Sequence, residues 1–298
     1  MWGTALTAIQ SLGISCGRSL HFPSSPIGRE VEMRRVVPAL LVASAASLTG
    51  CVPLEKVENR LVYQPAAYPA GDWTPPAGTE DAQIASTDGV SLHGWFSAAE
   101  RPRAVVLFLH GNAGNVTLCK DLLAFFPERF HASILAFDYR GYGRSEGSPN
   151  ELGVLDDARA ARRWLSQRCG VAESDIVLMG HSLGGGVAVD LAAADGARGL
   201  VLWNTFTSLP DVGKSYLPLL PVRSLMHNRL DSLAKIGAYR GPLLQAHGDS
   251  DRIVPFTLGR RLFAAANEPK QFVTVCGGRH NDPPSREFLD ALDRFLSR

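Results

Sequence analysis

The chain has 298 residues, 45% of them hydrophobic and 20% charged, with a formal net charge of +1. That composition belongs to a globular protein with a sizeable core. The near-neutral balance excludes recognition of nucleic acid by bulk charge, and no repeat or long low-complexity segment interrupts the chain.

Residues 1–32 carry no clear helical or strand period and precede a second methionine, Met33. From there the chain reads MRRVVPALLVASAASLTGC. Arg34 and Arg35 form a positive start, Val36 to Ala46 an apolar run, and small residues follow as far as Gly50. This is the layout of a secretory signal peptide, and the run is too short to span a bilayer as a mature helix. Leu48-Thr49-Gly50-Cys51 resembles the lipobox of bacterial lipoproteins. The resemblance implies that residues 33–50 are removed, that the Cys51 thiol is lipidated, and that translation starts at Met33. Residues 1–32 are then a misassigned extension. It further implies an exported protein anchored to a bacterial membrane, with Val52 compatible with the periplasmic side of the outer membrane. Several acyl chains anchor stably where one does not. The competing reading is a buried N-terminal helix with an incidental cysteine.

Residues 51–80 are rich in proline and alanine and read as a tether. One domain is expected over residues 81–298. It opens with two alternating runs around Asp88-Gly89, a hairpin signal. Strand and helix patterns then alternate. The strands are AVVLFLHG, ASILAFDYRG, DIVLMGHS, RGLVLWN, GPLLQAHG and KQFVTVCGG. Helical stretches lie between them, and SREFLDALDRFLS follows the last strand. Continuous apolar strands separated by helices predict an α/β fold with a mostly parallel sheet covered on both faces. Residues 208–231 break the rhythm with three prolines, and read either as a small cap or as an ordinary packed connection. Cys119, Cys169 and Cys276 have no metal-motif spacing. A Cys119–Cys169 disulfide is open to an exported protein.

Gly180-His181-Ser182-Leu183-Gly184 fits G-x-S-x-G. By itself this could be one more glycine-rich turn. Its setting, ending a buried strand and opening a small-residue helix, predicts a sharp turn that exposes the serine hydroxyl. A serine needs a base, and the base needs an orienting acid. Of the histidines, His227, His247 and His280 follow Ser182. His280, just beyond the last strand, is placed to swing over the serine. His247 lies at the end of the preceding strand and His227 in the irregular segment. The loop HGDSDRIVP offers two acids, Asp249 and Asp251.

Five motifs in order resemble the α/β-hydrolase superfamily from Val106 onward. They are His110-Gly111-Asn112-Ala113-Gly114-Asn115, Asp138 to Ser145, Gly180 to Gly185, His247 to Pro255, and Gly277 to Asp282. The resemblance implies the α/β-hydrolase fold and a serine hydrolase with the triad Ser182, Asp251 and His280. It implies an oxyanion hole from the backbone N–H groups of Asn112 and Leu183. His110 and His181 are expected to orient loops rather than react, and Arg140 reads as an ion-pairing or loop-bracing residue, with a substrate clamp as the alternative. The resemblance implies no cofactor, and there is no H-E-x-x-H metal motif. The expected substrates are small acyl esters or lipid-like esters. Thioesterase, peptidase or acyltransferase chemistry on the same triad is the alternative, as is a non-catalytic, lipid-anchored binding protein. The expected associations are the substrate and, through Cys51, a membrane, with no nucleic acid.

Overall fold

The apolar runs become one eight-stranded sheet in the computed structural model, which describes residues 54–298. The extension, the signal peptide and Cys51 lie outside the described residues. Helix α1 (Leu54–Tyr63) precedes the sheet, and β1 (Thr79–Ala85) and β2 (Ser91–Ser97) form the antiparallel hairpin. Then come β3 (Ala104–Leu109), α2 (Lys120–Phe130), β4 (Ala132–Phe137) and α3 (Glu151–Cys169). They are followed by β5 (Ile176–His181), α4 (Leu183–Asp195) and β6 (Gly199–Trp203). Three short helices, α5 (Leu209–Tyr216), α6 (Val222–Leu225) and α7 (Ser232–Lys235), lead to β7 (Leu243–Gly248). Helix α8 (Phe256–Ala265), strand β8 (Lys270–Val275) and helix α9 (Arg286–Leu296) complete the chain. The strand order is β1-β2-β4-β3-β5-β6-β7-β8. It is antiparallel through β4 and parallel from β4 to β8.

Every residue of β3 and β4 is buried, so both faces of the sheet need cover. On one face Val154 and Ala158 of α3, Val187 and Leu191 of α4 and Leu262 of α8 pack with Leu107, Leu178 and Leu202. On the other, Phe126 and Phe130 of α2 and Phe288 and Leu292 of α9 pack with Val106, Met179 and Val201. Adjacent strand residues such as Val106 and Leu107 therefore enter opposite layers, as the two-residue period of a strand requires. Local signals set the helix ends. The Asn150 side chain accepts from Gly153 N–H at 2.9 Å at the start of α3, and Gly170 closes that helix at φ 66°. The same layering separates Cys119, buried in the α2 layer, from Cys169, which packs against the α3 layer; both are free thiols.

Residues 54–80 differ from the tether expected of them. They form α1 and a strap that packs along the domain, with Tyr63 fully buried. Pro65 bridges to Gly114 and Ala67 to Gly143. The Asn115 side chain donates to Ala66 O (3.0 Å) and Ala70 O (2.8 Å). Glu58 holds the far end: its carboxylate accepts from Asn228 N–H at 2.7 Å, from Asn228 Nδ2 at 3.0 Å and from His227 N–H at 3.0 Å. Glu58→Ala leaves buried donors unmatched. It should lower unfolding stability by about 1–3 kcal/mol and speed proteolysis within residues 208–231, read by urea denaturation and limited digestion.

Residues 208–231 are an ordered excursion between β6 and α7. They fold as α5 and α6 around the turn at residues 217–221. Val212 and Val222 point inward, and the Tyr216 hydroxyl lies 2.8 Å from Arg252 O and from Ile253 O in the loop after β7.

Candidate active site

β5 and α4 meet at Ser182, which adopts φ 53° and ψ −116°. A non-glycine residue in that region is strained, and such strain persists only when the surroundings impose it. The imposition is close packing of strand and helix. A Cβ on Gly180 would lie 2.3 Å from Gly184 O, and one on Gly184 would lie 1.9 Å from Leu109 O. Serine at a helix start ordinarily caps it by accepting a backbone N–H. Ser182 makes no such bond. Its Oγ instead lies 2.9 Å from His280 Nε2.

His280 comes from the loop after β8. Its Nδ1 lies 2.7 Å from Asp251 Oδ2. An ionised carboxylate only accepts, so Nδ1 carries the proton and Nε2 is left to accept from the Ser182 hydroxyl. Asp251 Oδ1 accepts from Ile253 N–H (2.8 Å) and Val254 N–H (2.9 Å), which fixes the plane of the carboxylate. His247 Nε2 lies 3.0 Å from Val254 O and 3.3 Å from Asp251 Oδ2. Burial pushes the Asp251 carboxyl up, but the hydrogen bonds of His247 and His280 outweigh it and hold the group well below the usual carboxylate range.

The structure therefore brings Ser182, His280 and Asp251 into one chain of hydrogen bonds. Asp249 takes no part: its Oδ1 accepts from Gly277 N–H at 2.7 Å at the surface. His227 pairs with Glu58 at 3.0 Å. His181 lies under the site, with Nε2 3.1 Å from His280 O, and burial and the neighbouring His280 push it down to about 3. It stays neutral near pH 7. His110 is buried against Tyr139 and Tyr142. Arg140 is braced by Asp157 and Asp88, each at 2.8 Å, away from the serine.

Leu183 is the first residue of α4, where backbone N–H groups have no intrahelical acceptor. Asn112 follows the end of β3. Its side chain donates to Val62 O at 3.1 Å and its carbonyl accepts from the Tyr142 hydroxyl at 2.8 Å. Helix α1 and Tyr142 therefore hold Asn112 in place. Among the described residues, no group of three His, Cys, Asp or Glu side chains is placed to hold a metal ion.

Sequence reasoning missed Asn204, which directly follows β6. It has φ 48°. Its Nδ2 donates to His280 O at 2.7 Å and its Oδ1 accepts from Gly248 N–H at 3.0 Å. One side chain thus ties the histidine loop to the end of β7, which carries the acid loop. The available signal was an asparagine at a strand end, a residue that tolerates positive φ. Asn204→Ala should cost about 1–3 kcal/mol of stability and slow turnover more than it changes substrate affinity, as read by denaturation and steady-state kinetics.

A family model described as the alpha/beta hydrolase family matches residues 106–294. An uncharacterized protein of Mycobacterium tuberculosis is 39% identical over 272 residues, covering 88% of this chain and 95% of that protein. The alpha/beta hydrolase domain-containing protein WAV2 of Arabidopsis thaliana is 31% identical over 261 residues, covering 79% of this chain and 85% of the plant protein. An esterase of Pyrococcus furiosus superposes with a TM-score of 0.65 at 20% identity, over 80% of this chain and 97% of the esterase. The architecture is the α/β-hydrolase fold.

Proposed function

The chain belongs to the alpha/beta hydrolase family, and from that premise we propose that it is a serine hydrolase cleaving carboxylic esters of acyl or lipid-like substrates. The observation that carries this reading is the relay from Ser182 Oγ to His280 at 2.9 Å and from His280 to Asp251 at 2.7 Å. As Ser182 Oγ attacks the ester carbonyl carbon, its proton passes to His280 Nε2. Asp251 keeps Nδ1 protonated and stabilises the imidazolium. The N–H groups of Leu183 and Asn112 receive the developing oxyanion, each worth about 3 kcal/mol in comparable sites. Collapse breaks the bond to the leaving alcohol, which takes the proton from His280. Water, deprotonated by the same Nε2, then releases the acid and restores the Ser182 hydroxyl.

Cys51 carries the lipid anchor in this proposal, so the enzyme works at the periplasmic face of a bacterial outer membrane. Among the described residues no helix is long and apolar enough to cross a membrane. Support comes from the order of positive start, apolar run and lipobox across residues 33–51.

The test is turnover of a series of nitrophenyl acyl esters against the matching anilides by the full chain. Ester hydrolysis well above buffer and above anilide hydrolysis is expected. Anilide turnover equal to or faster than ester turnover would move the activity to the peptidase class.

A further inference from the structure

Three of the six exposed large apolar residues among those described fall within residues 219–225. Leu219 is 96% exposed, Leu225 51% and Leu220 38%. The fold itself turns them outward. Val222 is buried, and its Cγ1 lies where a Cβ on Gly213 would come within 2.9 Å, so α5 and α6 close on each other through their inner sides. The turn between them, Leu217 to Pro221, is pinned by Leu220 N–H to Leu217 O at 3.1 Å. The leucines occupy its outer surface. Leu152, 76% exposed, borders the same segment, since the adjacent Glu151 carboxylate accepts from Arg229 N–H and from Leu230 N–H (3.2 Å).

The exposed charges beside these leucines are cations, while Asp211, which pairs with Arg223, is buried. Between Asp211 and Asp231 the chain carries Lys214, Arg223 and Arg229 and no carboxylate. Lys214, Arg223 and Arg229 are all exposed. Leucines beside exposed cations, with Asp211 buried under Arg223 and Glu151 engaged by the Arg229 and Leu230 N–H groups, match an anionic phospholipid surface. The acyl region receives the leucines and the headgroups receive the cations.

A second observation concerns the other end of the chain. Helix α1 begins at Leu54, and Glu58 within it accepts from the backbone N–H groups of His227 and Asn228, the residues that leave this segment. Three residues of extended chain reach about 10 Å. An acyl group on Cys51 would hold α1, and through Glu58 residues 227–228, close to the bilayer. This second part rests on the acylation proposed above.

We propose that the turn 217–221 with Leu219, Leu220 and Leu225 is a docking surface for anionic phospholipid bilayers, which brings the domain that carries Ser182 to the lipid where acyl substrates reside. The leucines are exposed and take no part in the hydrogen-bond relay of Ser182, His280 and Asp251, so docking and chemistry are separable.

The test uses the full chain carrying Cys51→Ser, so that no acyl anchor contributes. Hydrogen exchange is followed with and without phosphatidylcholine vesicles containing phosphatidylglycerol. Exchange across residues 214–226 is expected to slow several-fold on these vesicles, and far less on phosphatidylcholine alone. The combined Leu219→Asp, Leu220→Asp and Leu225→Asp chain should lose that protection while hydrolysing a soluble short-chain ester as before. Unchanged exchange across residues 214–226 on anionic vesicles overturns the proposal and turns the leucines toward a protein partner. Equal protection in the parent and the triple variant also overturns it. Loss of soluble ester hydrolysis in the parent would count against the hydrolase reading alone.

Discussion

Ser182→Ala should reduce ester turnover by about 10⁴- to 10⁶-fold, as nucleophile removal does in serine hydrolases of unrelated fold. The fold should survive, because Ser182 Oγ makes no helix-capping bond. Its backbone keeps its own ties: the N–H donates to Trp203 O at 2.9 Å, and the carbonyl accepts from the Thr205 hydroxyl at 2.9 Å. Alanine at φ 53° is no more strained than serine. The measurement is steady-state hydrolysis of an acyl ester, with thermal unfolding as the control. Near-parental turnover would remove Ser182 from the chemistry. Unfolding of the variant would instead assign the serine to structure.

Asp251→Asn should lower kcat by about 10⁴-fold, with KM nearly unchanged. The amide presents either an N–H₂ group or an oxygen to His280 Nδ1. The network favours the wrong choice, because Ile253 and Val254 N–H already demand an acceptor at the other position. An N–H₂ facing Nδ1 forces the ring proton to Nε2, where it can no longer receive the Ser182 proton. Asp249→Asn, two residues away, removes a surface charge while keeping an oxygen that can accept from Gly277 N–H, and should leave kcat within about twofold, as surface substitutions usually do. The pair of variants separates two acids that the sequence presents together. Stability adds an independent readout. The Asp251 carboxyl titrates below its usual 3.8 in the folded chain. Its contribution is therefore complete above the unfolded value and lost as pH falls through the folded one. Asp251→Asn should remove part of the acid limb of the stability–pH curve, measured by urea unfolding from neutral pH downward.

The parts of the molecule most legible in the sequence are those where chemistry and sterics dictate residue type. Mostly apolar runs separated by helices define the parallel sheet, because the central strands are covered on both faces; only the edge strand β8, KQFVTV, lacks a buried residue. Gly180 and Gly184 flank Ser182 because strand and helix approach within contact distance there, and no side chain fits. Motif order singles out Ser182, Asp251 and His280, and the three side chains are hydrogen-bonded in space. Choosing Asp251 over Asp249 was a different matter. Nothing in two aspartates separated by one serine distinguishes them, and only the resemblance did. Structurally the two differ in their partners: Ile253 and Val254 N–H and the His280 ring meet Asp251, whereas Asp249 meets Gly277 N–H at the surface.

Residues 54–80 misled for a compositional reason. Their proline and alanine content reads as linker, but the ten residues LEKVENRLVY contain neither proline nor glycine, and Tyr63 ends in the core. Their partners, Asn228 and the loop at Asn112, lie far along the chain, and no local pattern announces them. Asn204 offers only the weak signal of an asparagine at a strand end, for the same reason. Its work is to join the His280 loop to the end of β7, and only the folded chain brings these together.

The most direct measurement is to react the full folded chain with a fluorophosphonate and locate the adduct by mass spectrometry of its peptides. A single phosphonyl adduct on Ser182 is expected, absent in Ser182→Ala and strongly slowed in His280→Ala. An adduct on any other residue, or none on a well-folded chain, would contradict the assignment of Ser182 as the nucleophile.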